Sequence, residues 1–293
     1  LLPHYLRAVS GGRLNPEPAI AVRQRRDAAA VLDADHALGH HAGSEAMSLA
    51  RQMAEERGIG AVAVANSSHF GAAAYFALPA ARAGLLGLAF TNADALLRVH
   101  GAPTAFFGTN PICLCAPMAG EEPFCLDMAT SRVSWNKILQ HRASGQPLPE
   151  GWANDANGAG VEDAAEAATL EAIGDYKGYG LAMMVEILCG LLADGPAATE
   201  LAAMFTTPLS LQRRISHFFC ALDVGAFVDV ARFAGRLSAM AEQLRSLGDG
   251  AVMIPGDPEK RHFAERSAAG IPLDEGLYEE LLAVDPRFAE AQR

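Results

Sequence analysis

The fold is decided by the stretch Ala61-Val62-Ala63-Val64-Ala65-Asn66-Ser67-Ser68-His69-Phe70-Gly71. Its first five residues form an apolar run that is typical of a buried strand. Residues 71–83 are typical of a helix, which Gly84 ends, and residues 86–91 form a second apolar run. The order of strand, helix and strand predicts a right-handed crossover unit with parallel strands.

Two islands of polar residues follow apolar runs and predict a functional site. The first is residues 66–71, and the second is Asp127-Met128-Ala129-Thr130-Ser131, which follows Phe124-Cys125-Leu126. A junction between a strand and a helix offers free backbone N–H groups to an anion and holds side chains on rigid supports. For the second island, a plain helix cap by Thr130 or Ser131 remains an alternative.

The rest of the chain predicts an α/β fold with a mixed sheet. Helices are expected at residues 37–57, 132–142, 178–193 and 228–247, and a charged helix after the turn at residues 255–261. Strands are expected at residues 112–116, 124–126 and 218–222, the first two antiparallel to each other. The turn-rich residues 143–174 predict a long loop or lid.

Composition bounds the class of protein and its partners. With 293 residues and 51% apolar content, the chain can bury a large core in one domain or in two interleaved ones. The 34 acidic and 23 basic residues give a net charge of −11, which repels phosphate backbones and anionic lipids. We therefore expect neither nucleic acid nor a membrane as partner. A small anionic substrate would need a locally positive site, built from few Lys and Arg residues.

The cysteines and the first residues predict a cytoplasmic protein. The five cysteines stand among apolar neighbours without a CxxC pair, which is typical of reduced, buried thiols. No signal peptide is expected, because Pro3, His4 and Arg7 interrupt the first segment. Residues 181–193 are too few to span a bilayer and include Glu186. Because the chain begins at Leu1 rather than Met, we expect a further segment upstream.

His69 and Lys177 are the two side chains whose neighbouring residues favour a role in catalysis or binding. A lone histidine is as often structural as catalytic, but the small residues 71–74 beside His69 would let another molecule approach, which favours an acid or base role. Lys177 stands between glycines at the start of an apolar helix, which favours contact with a phosphate or carboxylate. Glu186 is expected to be a hydrogen-bonded structural carboxylate.

Two other patterns favour ordinary structure. The GxGxxA pattern of residues 58–63 follows a helix and precedes a strand, the reverse of the Rossmann order, so Gly58 is expected to end a helix. His36 and His40 lie four residues apart near Asp33 and Asp35, a spacing that a metal site can use. A third potential ligand is missing at the sequence spacing that a metal site would use, so an exposed helix start is favoured and no metal is predicted.

Five segments in the same order resemble the malate/L-lactate dehydrogenase family, which includes ureidoglycolate, sulfolactate and diketogulonate oxidoreductases and cyclic ketimine reductases. They are residues 66–71, 108–111, 127–131, 177–181 and 255–259. The resemblance implies a non-Rossmann NAD(P)-binding fold, usually a homodimer, with the nicotinamide in a cleft between two domains. On this basis we predict a cofactor-binding sheet domain at residues 61–189. Residues 1–60 and 190–293 would form the substrate-side and dimerisation domain.

The resemblance also implies roles for individual residues. His69 and Asp94 would be catalytic, and Tyr5 and Asn110 would bind substrate. The cofactor, NAD or NADP, would contact Asp127, Met128, Ala129, Thr130, Ser131, Lys177, Gly178, Asp257, Glu259 and Arg261. The expected reaction is hydride transfer between nicotinamide and C2 of a small anionic 2-hydroxy or 2-oxo acid of the malate or lactate type. A pyrroline- or piperideine-2-carboxylate reductase and a non-catalytic cofactor-binding relative are the alternatives.

Three positions depart from the family pattern. A Ser-His-Gly motif, whose histidine is the proposed proton donor of some members, would stand upstream of Leu1. Leu1 itself falls where some relatives have an arginine that would bind a substrate carboxylate. Tyr176 stands where many relatives have His or Pro. These departures leave the main proton donor and the substrate open.

Overall fold

The computed structural model describes residues 1–273 and 275–292, which form eight α-helices and twelve strands. The helices are α1 (Leu2–Ser10), α2 (Gly39–Arg57), α3 (Ala74–Arg82), α4 (Trp135–Ser144), α5 (Tyr176–Glu186), α6 (Val230–Arg245), α7 (Asp257–Ala269) and α8 (Glu275–Val284). The strands are β1 (Ala21–Arg25), β2 (Ala29–Asp33), β3 (Ile59–Ser67), β4 (Leu85–Thr91), β5 (Leu97–Arg98), β6 (Ala105–Phe107), β7 (Ile112–Ala116), β8 (Phe124–Met128), β9 (Ala153–Asn154), β10 (Gly160–Val161), β11 (Thr169–Leu170) and β12 (Ile215–Asp223).

A seven-stranded mixed sheet carries the main core, as predicted. Its strand order is β1-β2-β3-β12-β4-β7-β8, and the β2–β3 pair is parallel while the other pairs are antiparallel. Strands β3 and β4 are parallel to each other, but β12 lies between them, with Cys220 opposite both Ala61 and Leu88. The crossover through α3 therefore joins strands that are not neighbours, which the local sequence does not reveal.

Helices cover both faces of this sheet. On one face α2 and α3 pack through small residues, because a Cβ on Gly60 would collide with the carbonyl oxygen of Ala50 and one on Gly87 with that of Ala77. The other face packs against Val185 and Cys189 of the helix that begins as α5. Such close approach of helix and strand buries the apolar strands on both sides.

A second, five-stranded sheet has the order β10-β9-β11-β5-β6. Three of its strands lie within residues 153–170, so the prediction of a long loop or lid over residues 143–174 was wrong at these strands. Two-residue strands carry too little pattern to be recognised among turn residues. Their apolar side chains pack around Leu97, Ile138 and Leu170, which are fully buried. The domain boundaries predicted above stay a prediction.

The structure explains how two helices, α4 and α5, differ from their prediction. Helix α4 begins at Trp135 because the preceding chain is extended: the Arg132 N–H donates to the Glu171 carbonyl at 2.8 Å, and Ser131 bridges Ala172. Neither Thr130 nor Ser131 caps it, so that alternative was wrong. The helix predicted at 178–193 is α-helical to Glu186 and π-helical over Ile187–Leu191. Across the described residues, every helix is too short or too polar to traverse a bilayer.

Candidate active site

A cleft of about 360 Å³ forms where the chain passes between the two sheets. Residues 92–96 connect β4 to β5, and residues 108–111 return from β6 to β7. The cleft has the size of a small-molecule site. Its lining includes His69, Thr91, Asn92, Asp94, Trp135 and Arg213.

A buried carboxylate fixes both connecting segments. Glu186 accepts hydrogen bonds from the side-chain amides of Asn92 at 2.8 Å and Asn110 at 2.9 Å. The Asn110 side chain also donates to the Ala182 carbonyl and accepts from the Ala93 N–H at 3.0 Å. Glu186 is thus the hydrogen-bonded structural carboxylate that was predicted. Asn110 lies behind the cleft with both ends of its amide engaged, so the structure gives it a positioning role beside its proposed substrate contact.

His69 lines the cleft and is held by Tyr5. The Tyr5 hydroxyl and His69 Nδ1 lie 2.6 Å apart, which joins α1 to the segment after β3. Burial raises the pKa of Tyr5 to about 12, so the phenol stays protonated at neutral pH. When Nδ1–H of His69 donates this bond to the Tyr5 oxygen, the other ring nitrogen, Nε2, is free to accept a proton. Tyr5 therefore orients the imidazole.

Two histidines beside the cleft are neutral at physiological pH. Burial, with Arg213 adding to it, lowers the pKa of His69 to about 4. Burial lowers the pKa of His217 to about 3. His217 is enclosed in β12, and its ring nitrogens lie 2.7 Å from Thr91 Oγ1 and 2.8 Å from Ser67 Oγ. A neutral imidazole accepts a proton and cannot be the standing proton donor.

We expect stability to fall with acid because of these two groups. Both folded-state pKa values lie below the usual histidine value of about 6.5. The stability contributed by the neutral rings is therefore complete above that pH and is lost as pH falls through about 4 for His69 and about 3 for His217. For His69 alone the loss is about 3 kcal/mol. Chemical denaturation between pH 7.5 and 3.5 measures it. The His69→Gln variant should show a shallower pH dependence; an equal slope in both proteins contradicts the assignment.

Asp94 forms a buried ion pair with Arg213 at the edge of the cleft. Arg213 is 3% exposed and Asp94 15%. Asp94 also accepts from the Met204 N–H at 3.1 Å, and Arg213 Nε donates to the Ala202 carbonyl at 2.8 Å. The pair therefore holds the loop before β12 against the cleft. The catalytic role of Asp94 stays a prediction, and it would fall to a carboxylate that is ion-paired with Arg213.

A second arginine, from the N-terminal part of the chain, forms hydrogen bonds with the same loop. Arg13 is 3% exposed and donates to the carbonyls of Met204, Thr207 and Pro208 at 2.8 to 3.0 Å. With Arg213 it supplies positive charge beside the cleft, as an anionic substrate requires in a chain of net charge −11. Neither arginine was among the sequence predictions. Arg213 had a usable signal, because it stands two residues before the apolar strand β12, as a polar residue near a strand end.

In the predicted cofactor segment after β8, three side chains already form hydrogen bonds within the protein and two are partly exposed. Asp127 accepts from the Ala74 N–H at 2.8 Å and so caps the start of α3. Thr130 is buried and its hydroxyl donates to the Thr109 carbonyl at 2.9 Å, while Ser131 donates to the Val133 carbonyl at 2.7 Å. Met128 and Ala129 are partly exposed. Cofactor contact by this segment stays a proposal, with Met128, Ala129 and the backbone as its free groups.

The other predicted cofactor residues lie outside the lining of the cleft. Lys177 is exposed in the first turn of α5, and Gly178 packs against Ile173 so closely that a Cβ would collide with its carbonyl. Asp257 forms an ion pair with Arg245 at 2.6 Å at the start of α7. Glu259 is exposed; Arg261 is also exposed and lies 3.7 Å from the Glu265 carboxylate. Their contacts with a dinucleotide remain predictions.

Known proteins match nearly the whole length of this chain. A family model described as malate/L-lactate dehydrogenase matches residues 1–282. The malate dehydrogenase of Pyrococcus abyssi is 34% identical over 294 residues, covering 96% of this chain and 80% of that protein. A malate dehydrogenase structure from Entamoeba histolytica has a TM-score of 0.91 at 25% identity, covering 97% and 84%. A Δ1-piperideine-2-carboxylate reductase structure from Pseudomonas syringae has 0.85 at 28% identity, covering 99% and 85%.

The mixed sheet, the cleft and these matches define the class as an NAD(P)-dependent oxidoreductase acting on the CH–OH group of 2-hydroxy acids. The chain belongs to the malate/L-lactate dehydrogenase family. Similar proteins are named as dependent on NAD(+) or on NADP(+), and the cofactor here is NAD or NADP. The family resemblance and the fold predicted from the sequence are confirmed.

Proposed function

We propose that the protein oxidises a small 2-hydroxy acid of the malate or lactate type at C2, with His69 as the general base. The observation that carries this proposal is the neutral His69 ring, fixed by Tyr5 in the same cleft as the buried Arg213. An unprotonated imidazole at neutral pH is ready to take the proton of a substrate hydroxyl. Loss of that proton accompanies loss of the hydride from C2, which completes oxidation to the 2-oxo acid.

Other side chains in and behind the cleft would bind and orient the substrate. Arg213 has Nε on a carbonyl and Nη2 on Asp94, and among the described residues no acceptor meets Nη1. A guanidinium with a free N–H edge suits a substrate carboxylate. Glu186, through Asn92 and Asn110, keeps the cleft's backbone in place. Together these contacts would orient C2 and its hydroxyl toward His69.

The residues present fit a nicotinamide cofactor. The cleft is lined by residues 92–96 and by Trp135, among others, and its volume of about 360 Å³ suits a nicotinamide ring beside a small acid. When bound, the nicotinamide supplies the hydride chemistry. Residues 127–131 and the exposed Lys177 at the start of α5 would hold the rest of the dinucleotide, since a helix N-terminus and an ammonium group both suit phosphate.

A substrate panel tests the proposal. Malate, lactate and sulfolactate are each supplied with NAD+ or NADP+, and formation of the reduced cofactor is followed by absorbance. We expect turnover of at least one of these acids, with a clear preference for one cofactor. Absence of turnover with all three acids and both cofactors, in protein shown to bind dinucleotide, contradicts the proposed substrate class.

Reduction of a cyclic ketimine is the second candidate. The structural similarity to a piperideine-2-carboxylate reductase favours it, and so does the neutral state of His69. A protonated cyclic imine brings its own proton, so hydride addition needs no acid from the protein. Pyrroline- and piperideine-2-carboxylate with NADH and NADPH are assayed beside pyruvate and oxaloacetate. A higher kcat/KM for the imines would select this function.

We further propose that the protein is a cytoplasmic homodimer. Five unpaired cysteines are typical of a reducing compartment. Helix α5 and the π-helical turn that follows it expose an apolar face. Its side chains are between 38% and 62% exposed and belong to Met183, Met184, Ile187, Leu191 and Leu192. Such a face on a soluble chain suits burial against a second copy.

Leu191→Glu should disrupt this dimer. Leu191 is 62% exposed in the single chain, so the folded protomer tolerates the charge, whereas a carboxylate buried in an apolar interface is strongly unfavourable. Light scattering with size-exclusion chromatography should give the mass of two chains for the unaltered protein and of one chain for the variant. Leu247→Glu, at a 77% exposed position, is the control that should stay dimeric. A dimeric Leu191→Glu protein contradicts this interface.

A further inference from the structure

Three cysteines from two neighbouring strands converge on one face of the main sheet. Cys113 and Cys115 are two residues apart on β7, and Cys125 pairs opposite Cys115 on β8. The sulfur atoms of Cys113 and Cys115 lie 3.9 Å apart, and all three sulfurs lie within 4.8 Å of one another. Among the described residues this is the one group of three or more potential ligands with metal-binding spacing. His36 and His40 belong to no such group.

We propose that Cys113, Cys115 and Cys125 bind one thiophilic d10 cation of the Zn²⁺ or Cu⁺ class through three thiolates. Thiolate sulfur is the donor that selects these ions. With Zn–S bonds of about 2.3 Å, sulfur atoms of one site lie about 3.8 to 4.0 Å apart. The 3.9 Å between the sulfurs of Cys113 and Cys115 already falls in this range, and the other sulfur pairs, all within 4.8 Å, need only a small side-chain adjustment to reach it.

The burial of the three thiols suits a site that an ion can enter. Cys113 and Cys115 are fully buried, whereas Cys125 is partly exposed, so access and any further water ligand lie on its side. The S–H groups of Cys113 and Cys115 lower the pKa of Cys125, and Lys260 adds to this effect. Hydrogen bonds with Cys115 and Cys125, followed by burial and the Asp127 carboxylate, raise the pKa of Cys113. Ion binding would displace the protons of the thiols, so affinity should rise with pH.

The site would join elements that carry the predicted cofactor segment. The Cys125 N–H donates to the Pro255 carbonyl at 3.3 Å, and Gly256 at the start of α7 packs on Cys125. Two residues further on, Asp127 caps α3. A bound ion would therefore tie β7 to β8 beside both helix starts. The proposal is independent of the substrate and of the role of His69.

Titration of the reduced, chelator-treated full chain with Cd²⁺ tests the proposal. Cd²⁺ is a spectroscopic probe for this ion class, because thiolate-to-metal charge transfer absorbs in the ultraviolet. We expect saturation at one ion per chain, at least a tenfold loss of affinity in Cys125→Ser, and no change in Cys220→Ala, which removes a thiol from β12. Zn²⁺ or Cu⁺ should displace Cd²⁺. A titration without saturation, or equal affinity in Cys125→Ser, overturns the proposal.

A measurement on the unaltered chain covers the case in which the variant does not fold. Cys125 is the partly exposed thiol, so iodoacetamide should modify it in the folded, metal-free protein. One equivalent of Cd²⁺ should slow this modification at least tenfold, as read by peptide mass spectrometry. It should also raise the melting temperature, because the ion binds the folded state. Unchanged modification of Cys125 at saturating Cd²⁺ overturns the proposal.

Discussion

His69→Ala is expected to lower kcat for hydroxy-acid oxidation by about 10²- to 10⁴-fold, the usual contribution of a positioned general base. The substituted side chain cannot accept the hydroxyl proton, and Tyr5 loses the ring that it orients. Dinucleotide affinity should change little, because the expected cofactor contacts lie elsewhere. Steady-state kinetics on the best substrate of the panel, together with a fluorescence titration of the reduced cofactor, measure the two quantities separately.

The matched control is His41→Ala, which removes an exposed histidine of α2 that is not part of the cleft lining. It should retain unaltered kinetics. The variant His69→Gln keeps a hydrogen-bonding group next to Tyr5 but not the base, so it should be as slow as His69→Ala. Near-normal turnover in both His69 variants would make His69 structural and assign proton transfer to another group.

Asp94→Ala is expected to reduce the free energy of unfolding by about 3 to 5 kcal/mol, because it leaves the buried Arg213 guanidinium without its carboxylate. The loop before β12 also loses the bond from the Met204 N–H. Urea denaturation at neutral pH gives the free energy. In Arg213→Met the carboxylate is the unpaired partner, and KM for the acid should rise as well, since the guanidinium is the proposed carboxylate contact.

The double variant Asp94→Ala with Arg213→Met distinguishes a pair from two separate effects. Removing both charges leaves no unpaired ion, so its loss of stability should be smaller than the sum of the single losses. Asp285→Ala is the control, because its partner Arg287 is 85% exposed and ion pairs at the surface contribute little to stability. Strict additivity of the Asp94 and Arg213 losses would contradict a coupled buried pair.

The local parts of the fold were predictable because they depend on neighbouring residues. Gly58 ends α2 with a φ of 83°, as the stop signal indicated, and the apolar runs of β3 and β4 were recognised. The insertion of β12 between them was not predictable. The residues that pair across β12 are more than 120 positions apart, as Cys220 and Leu88 show, and no local pattern specifies such a pairing.

The candidate site was also only partly predictable: the location of His69 was, but its long-range contacts were not. His69 stood out because polar residues at the end of a strand are conspicuous, and the structure places it in the cleft. Its neutral state depends on burial and on Arg213, which comes from a distant part of the chain. Tyr5 came from the family resemblance as a substrate contact, whereas the structure reveals its bond to His69. Contacts between residues far apart in the sequence are a property of the folded chain alone.

Transfer of deuterium from C2 of a labelled hydroxy acid to the nicotinamide is the most direct test of the central claim. Malate and lactate deuterated at C2 are incubated with the enzyme and the oxidised cofactor, and the reduced cofactor is analysed by mass spectrometry and NMR. We predict one deuterium at C4 of the nicotinamide and a much slower transfer in His69→Ala. Reduced cofactor that forms without the label, or label lost to water, would contradict direct hydride transfer in this cleft.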